Sequence, residues 1–161
     1  MLIRRSISVF MIIFNFALFS SAQNADFKEL WQEVVEKEKD GLPKSALNIV
    51  EKISDKAQSE NNTPQYIKAL LFKSKYAIIL EDEAQLIIVK TFKTEIQRSQ
   101  GVEKNILQNM LATMYWQYFQ QHRYQFYNRT NTASKVDDID FRTWDLQTLF
   151  NEIQLYYKAS L

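Results

Sequence analysis

Only two glycines and two prolines interrupt the 161 residues, so most of the chain carries no signal that would stop a helix. Gln, Lys, Glu, Leu and Ile are abundant, and the fold class expected is all-α. Cysteine is absent, which excludes structural disulfides, thiolate metal sites and a lipid-anchored cysteine at a cleavage site.

Residues 1–22 combine Arg4 and Arg5 with an apolar run from Ile7 to Phe19 and a small-residue end, Ser20-Ser21-Ala22. This is the pattern of a secretory signal peptide cleaved after Ala22. The run is broken by Ser8 and Asn15 and is shorter than the ~20 residues of a spanning helix, so no transmembrane span is expected after cleavage. The expected location is the periplasm or cell envelope, or outside the cell. Cleavage removes Arg4 and Arg5 from the 20 Lys and Arg, leaving 18 against 19 Asp and Glu. A nucleic-acid binder displays a basic excess that releases counterions, so this near-neutral balance predicts no nucleic-acid partner. Residues 23–161 are enough for one helical domain.

The apolar period places the helices. Asp26 is expected to cap the first, with Phe27, Leu30, Trp31, Val34 and Val35 on one face, and Gly41 to end it. Pro43 opens a second carrying Ala46, Ile49, Val50, Ile53 and Ala57. After the polar Ser59 to Asn62 turn, Thr63 is the cap of a third helix. Its apolar residues, from Tyr66 to Leu80 and including Leu71, Ile78 and Ile79, cover most of the circumference and predict a central position. Asp82 caps a fourth with Leu86, Ile88, Val89, Phe92 and Ile96; Ile87-Ile88-Val89 taken alone also suits a short buried strand. A fifth helix follows Gly101 through Ile106, Leu107, Met110, Leu111, Met114, Tyr115 and Tyr118 and fades near Gln120 or Gln121. The last follows Thr143, with Leu146, Leu149, Phe150, Ile153 and Tyr157 inward, and runs to the final residue without a capping signal, as expected of an N-terminal fragment of a much longer chain.

Very short loops make neighbouring helices antiparallel, and such pairs stack into an alpha-solenoid. GLPKSALNIVEKI resembles the second helix of a tetratricopeptide hairpin, with Ala46 at the close contact. No second copy follows at ~34 residues, so the array expected is irregular.

Few residues suggest chemistry. His122 is the single histidine and has no Ser or Cys partner set; it reads as a surface or loop residue. Asp137, Asp138 and Asp140 lack the glycine and distal glutamate of a calcium loop and read as a solvated turn. Glu29, Glu33, Glu36 and Glu38 form a charged helix face. Asn61-Asn62-Thr63 and Asn128-Arg129-Thr130 match the glycosylation acceptor pattern, a short motif that chance supplies often. The aromatics from Tyr115 to Tyr127, with Arg123 and Arg129, are compatible with a stacking platform for sugars or single strands, but their helical period favours packing. No catalytic residue, metal or cofactor is assigned.

The signal peptide, FKELWQEVVEKEKDGLPKSAL, the helix with YIKALLFKSKY, and YWQYFQQHRYQFYNRT followed by RTWDL together resemble the N-terminal region of the large bacterial alpha-2-macroglobulin-like proteins. The resemblance spans nearly all of residues 23–161 and rests on Trp116, Arg123, Tyr124, Arg129, Thr130, Thr143, Trp144 and Asp145 as a set. It implies a non-catalytic helical module ahead of macroglobulin domains in an envelope protein that traps or inhibits proteases. The partners it implies are those downstream domains, a protease or an envelope protein. The bait region and the Cys-Gly-Glu-Gln thioester motif of that family are absent here, so none of its functional residues is carried over. Trp116, Arg123, Tyr124, Arg129, Thr130, Trp144 and Asp145 are read as structural or interaction residues. In particular, Arg129 or Arg142 is expected to pair with Asp145 at the start of the last helix. The other reading is an independent secreted helical adaptor for a peptide or envelope protein.

Overall fold

The computed structural model describes residues 26–130, 135 and 137–161; the expected signal peptide lies outside them. The described residues form α-helices, turns and one 3-10 turn, with no strand. They divide into two compact units, up to Leu80 and from Glu81 onward.

The first unit holds α1 (26–39), α2 (Pro43–Ser59) and α3 (Thr63–Leu80). α1 stops because Gly41 takes a φ of 70°. Leu42 N–H then donates to Lys37 O at 2.9 Å and Gly41 N–H to Glu38 O at 3.1 Å, closing two carbonyls the helix leaves open. The end of α2 repeats the device with Asn61 at φ 53°: Asn62 N–H donates to Ala57 O and Asn61 N–H to Gln58 O. Asn tolerates this backbone better than most residues. Asn62, rather than the expected Thr63, caps α3, its Oδ1 accepting from Gln65 N–H at 3.3 Å. Asp26 is already helical instead of capping, and its carboxylate meets Lys56 Nζ at 3.3 Å.

Phe27, Trp31 and Val34 pack on the α2 stripe Ala46, Ile49, Val50, Ile53 and Ala57, and on Tyr66, Ala69 and Tyr76 of α3. The alanines let the helix backbones approach closely. Val35, expected inward, is 44% exposed, because the buried α1 stripe is the narrower 27-31-34 row. α3 also differs from the central helix expected. Leu71, Ile78 and Ile79 are 46%, 67% and 57% exposed, since its buried residues, Tyr66, Ala69, Leu70 and Tyr76, occupy a single face.

Glu38 ties α1 to α3. Its Oε1 accepts from Tyr76 Oη at 2.6 Å and from Lys75 Nζ. The hydrogen bond from Lys75 first, then that from Tyr76, holds the carboxyl below its usual range, and burial with the adjacent carboxylate pushes the Tyr76 hydroxyl up.

The second unit holds α4 (Ala84–Arg98), α5 (Gly101–Tyr127), the 3-10 turn Phe141–Thr143 and α6 (Leu146–Ala159). Ile87-Ile88-Val89 is helical. The cap of α4 is Glu83 and not Asp82; it acts through its carbonyl, which receives Leu86 and Ile87 N–H. Val89, Phe92 and Ile96 of α4 are buried, as are Leu107, Leu111, Ala112, Tyr115, Tyr118, Phe119 and Phe126 of α5 and Leu149 and Ile153 of α6. α5 does not fade near Gln121. It bends at His122 (φ −116°, ψ 16°) and continues to Tyr127, which turns Phe126 into the core. His122 stacks on Tyr118 at 4.2 Å, and its Nδ1–H donates to the Tyr118 carbonyl at 3.0 Å.

Two outcomes test these contacts. A Cβ at Gly41 meets nothing within 4 Å, so Gly41→Ala carries only the left-handed backbone penalty. At about 1–2 kcal/mol this lowers the melting temperature by several degrees; an unchanged midpoint in calorimetry refutes it. A folded carboxyl held low stabilises above the unfolded carboxylate pKa and loses that contribution as pH falls through the folded value. Wild type should therefore exceed Glu38→Gln in melting temperature at neutral pH, with the gap closing on acidification through the carboxylate range; a gap independent of pH refutes the contact.

Candidate functional site

The residues singled out in the aromatic segment separate into two groups. Arg129, Trp144 and Asp145 converge on the turn that leads into α6. Asp137 Oδ1 accepts from Ile139 N–H at 2.7 Å and Asp140 N–H at 3.0 Å, and Asp140 Oδ1 caps the 3-10 turn through Arg142 N–H at 3.0 Å. Two of the three clustered aspartates thus shape backbone. Asp140 also takes the Arg142 fork, Nε and Nη2 each at 2.8 Å, and Arg142 Nη1 reaches Glu83 Oε2 at 2.7 Å. The bond from Arg142 holds the Asp140 carboxyl below its ordinary range.

Arg129 reaches the main chain on either side of Thr143. Its Nη1 donates to the carbonyls of Arg142 at 2.6 Å and Trp144 at 2.7 Å, while the guanidinium lies 4.8 Å from the centre of the Phe126 ring. The 3-10 turn ends at Thr143, leaving these carbonyls outside any helical ladder, and a guanidinium satisfies both. Arg123 to Tyr127, beyond the point near Gln120 or Gln121 where the fifth helix is expected to fade, is helical. Asp145 is the cap of α6, its Oδ1 accepting from Thr148 N–H at 2.7 Å.

Trp144 is fully buried. Its Nε1–H donates to Asp137 O, its ring meets Tyr115 at 5.8 Å, and the ammonium groups of Lys93 and Lys135 lie 5.4 and 4.4 Å from it. Both lysines pair with Glu152, at 3.4 and 3.3 Å. The Tyr115 hydroxyl, buried without a hydrogen-bond partner among the described residues, is pushed well above the ordinary phenol range by burial and then by Glu152.

The second group lies outward. Trp116 is 39% exposed and packs on Phe119 and Phe150 at 5.6 and 5.9 Å. Tyr124 and Thr130 are exposed, and Arg123 bonds its neighbour Tyr124 at 3.2 Å. Among the described residues no three His, Asp or Glu side chains converge as a metal-ligand group.

A different surface is open for contact in the first unit. Lys28, Gln32, Val35 and Lys39 fall on one stripe of α1 at helical spacing and face Gln65 and Lys68 of α3 across a groove of about 650 Å³. Trp31 forms its floor, donating Nε1–H to Gln65 Oε1 at 2.8 Å beneath the Lys68 ammonium, 4.0 Å from the ring centre. The amino-acid pattern marks Trp31 as core and carries the α1 stripe, but holds no signal for the α3 wall that completes the groove. On the other flank of α1, Asp26, Glu29 and Glu33 line a shallower acidic pocket with Lys56.

Comparisons with protein families, curated proteins and solved structures find nothing that matches this chain.

Replacing Arg129 by Ala strands two carbonyls that a charged donor serves, worth about 1.5–3 kcal/mol. The expected result is a melting temperature lower by several degrees, with Asp145→Ala also destabilising and Asp145→Asn, which can still cap, close to wild type. Equal losses for both Asp145 variants would remove capping as the role of that side chain.

Proposed function

We propose that this chain is a non-catalytic helical interaction module, exported behind a signal peptide at residues 1–22. In this reading it stands at the N-terminal end of an alpha-2-macroglobulin-like envelope protein. Its helices form an irregular, tetratricopeptide-like array, and the protease trapping associated with the family belongs to macroglobulin domains beyond it. The observation that carries the module reading is the outward apolar face of α3, where Leu71, Ile78 and Ile79 stand exposed. Helical arrays bury such faces by stacking on a further element or partner. The antiparallel-suited short turns at Gly41 and Asn61 support the array, and the quoted sequence segments support the family.

The aromatic and cationic residues fit this assignment better than a catalytic one. Arg129, Asp145 and Trp144 are committed to backbone carbonyls, a helix cap and a packed core. Among the described residues no helix is long and apolar enough to cross a membrane. The second reading, an independent secreted adaptor, is favoured by the α1–α3 groove, which offers a contact surface within the first unit.

The reading frame after Leu161 separates the two. Continuous coding for a long series of alternating strands is expected for the macroglobulin-associated module; a stop codon directly after Leu161 removes that assignment and leaves the adaptor.

A further inference from the structure

We infer that the groove between α1 and α3 binds an extended acidic peptide segment. This assignment rests on the interaction-module reading and names the partner chemistry of one of its surfaces.

Charge on the groove is one-sided. Lys28, Lys39 and Lys68 contribute three ammonium groups to its lining, against the single carboxylate of Glu36. None of the three is in an ion pair with a described carboxylate, whereas Lys56 is paired with Asp26 and Glu60 and Lys75 with Glu38. The acids of α1 that could have neutralised them, Glu29 and Glu33, line the opposite flank. A near-neutral chain has therefore left an uncompensated cationic strip in a concavity, where a complementary anionic ligand gains most.

Shape selects a peptide from among anionic partners. From Lys28 to Lys39 the α1 stripe rises about 16 Å, the length of roughly five residues of extended chain. Val35, 44% exposed, lies between the two lysines and offers an apolar contact for an alternate side chain. Gln32 and Gln65 bring amide groups that can pair with a peptide backbone. Gln65 is already positioned, since its Oε1 holds the Trp31 indole N–H and its amide nitrogen stays available for a ligand carbonyl. Lys68 is likewise held over Trp31. A flat anionic membrane would meet the lysine tips but not the recessed Trp31 and Gln65, and a nucleic acid would require a basic excess the chain lacks.

The test uses the chain from Gln23 and a fluorescein-labelled peptide of about ten residues alternating glutamate with leucine, read by fluorescence anisotropy at low and at elevated salt. The control peptide carries glutamine in place of each glutamate. Binding of the acidic peptide, weakened by salt and reduced about tenfold or more by Lys28→Glu combined with Lys39→Glu, is the expected result. Lys68→Gln should weaken it less, Glu36→Gln should strengthen it, and Glu29→Gln with Glu33→Gln should leave it unchanged. Circular dichroism melts of each variant identify any that fail to fold, and Glu36→Gln, a predicted gain, remains decisive in that case. Equal affinity for the glutamine peptide overturns the proposal. So does indifference to the lysine reversals, or binding to phosphatidylglycerol vesicles with no binding to the peptide. Failure here leaves the downstream reading-frame test of the macroglobulin module untouched, and a stop codon after Leu161 leaves the groove measurement standing.

Discussion

Backbone groups that leave a helical ladder inside a folded protein need new partners, and each change of direction described here is built around that demand. With so few glycines and prolines, the chain cannot rely on flexible loops, so it turns within two or three residues and closes the exposed carbonyls locally. Gly41 and Asn61 do this by entering the left-handed region, each returning two N–H groups to the helix just ended. At the turn that leads into α6, side chains take over. Asp137 and Asp140 collect N–H groups, Asp145 starts α6, and Arg129 covers the carbonyls of Arg142 and Trp144. Removing one of these bonds exposes a dipole in a half-buried place, so their loss is felt beyond the residues that make them.

This explains which parts of the fold were legible in the amino-acid pattern. α2 was readable nearly to the residue because its breakers, Pro43 and the Asn61 turn, coincide with the limits of a clean apolar stripe. Burial on α3 was not readable, because an apolar residue reports what it prefers and not how many neighbours it is given; Ile78 and Ile79 are as hydrophobic as Ile49 and Ile53 yet stand outside. The end of α5 is illegible for another reason. The bend at His122 keeps Phe126 on the buried side, so the helix outlasts its own period. For Arg129, opposite charge points to Asp145, and its bonds to the carbonyls of Arg142 and Trp144 answer a need of the main chain that no side-chain pattern records.

Charge is arranged with the same economy. The acids of α1 looked like one solvated face, but they have different fates. Glu38 is bound by Tyr76 and Lys75 and links helices, Glu29 and Glu33 form an acidic flank, and Glu36 alone lies on the basic groove. Helical spacing separates these positions by fractions of a turn, enough to place opposite electrostatics on the two sides of one helix. In the second unit the lysines are treated differently. Lys93 and Lys135 share Glu152 beside the buried Trp144, so their charge stabilises an interior instead of facing a ligand.

The two units therefore separate the features that most suggest function. The aromatic-rich segment, conspicuous in the sequence, uses its defining residues on itself: Trp144 has no exposed surface, and Arg129 has its guanidinium on carbonyls. A stacking platform needs ring faces in solvent, and the rings that remain partly open here, Trp116, Tyr124 and Tyr127, are engaged along their own helix or with Phe150. The plainer helix α1, by contrast, supplies lysines without ion-pair partners among the described residues and the indole that Gln65 of α3 holds in place. A residue that stands out by type is often one the fold could not do without, while recognition can be assembled from ordinary residues whose significance lies in what they leave unpaired.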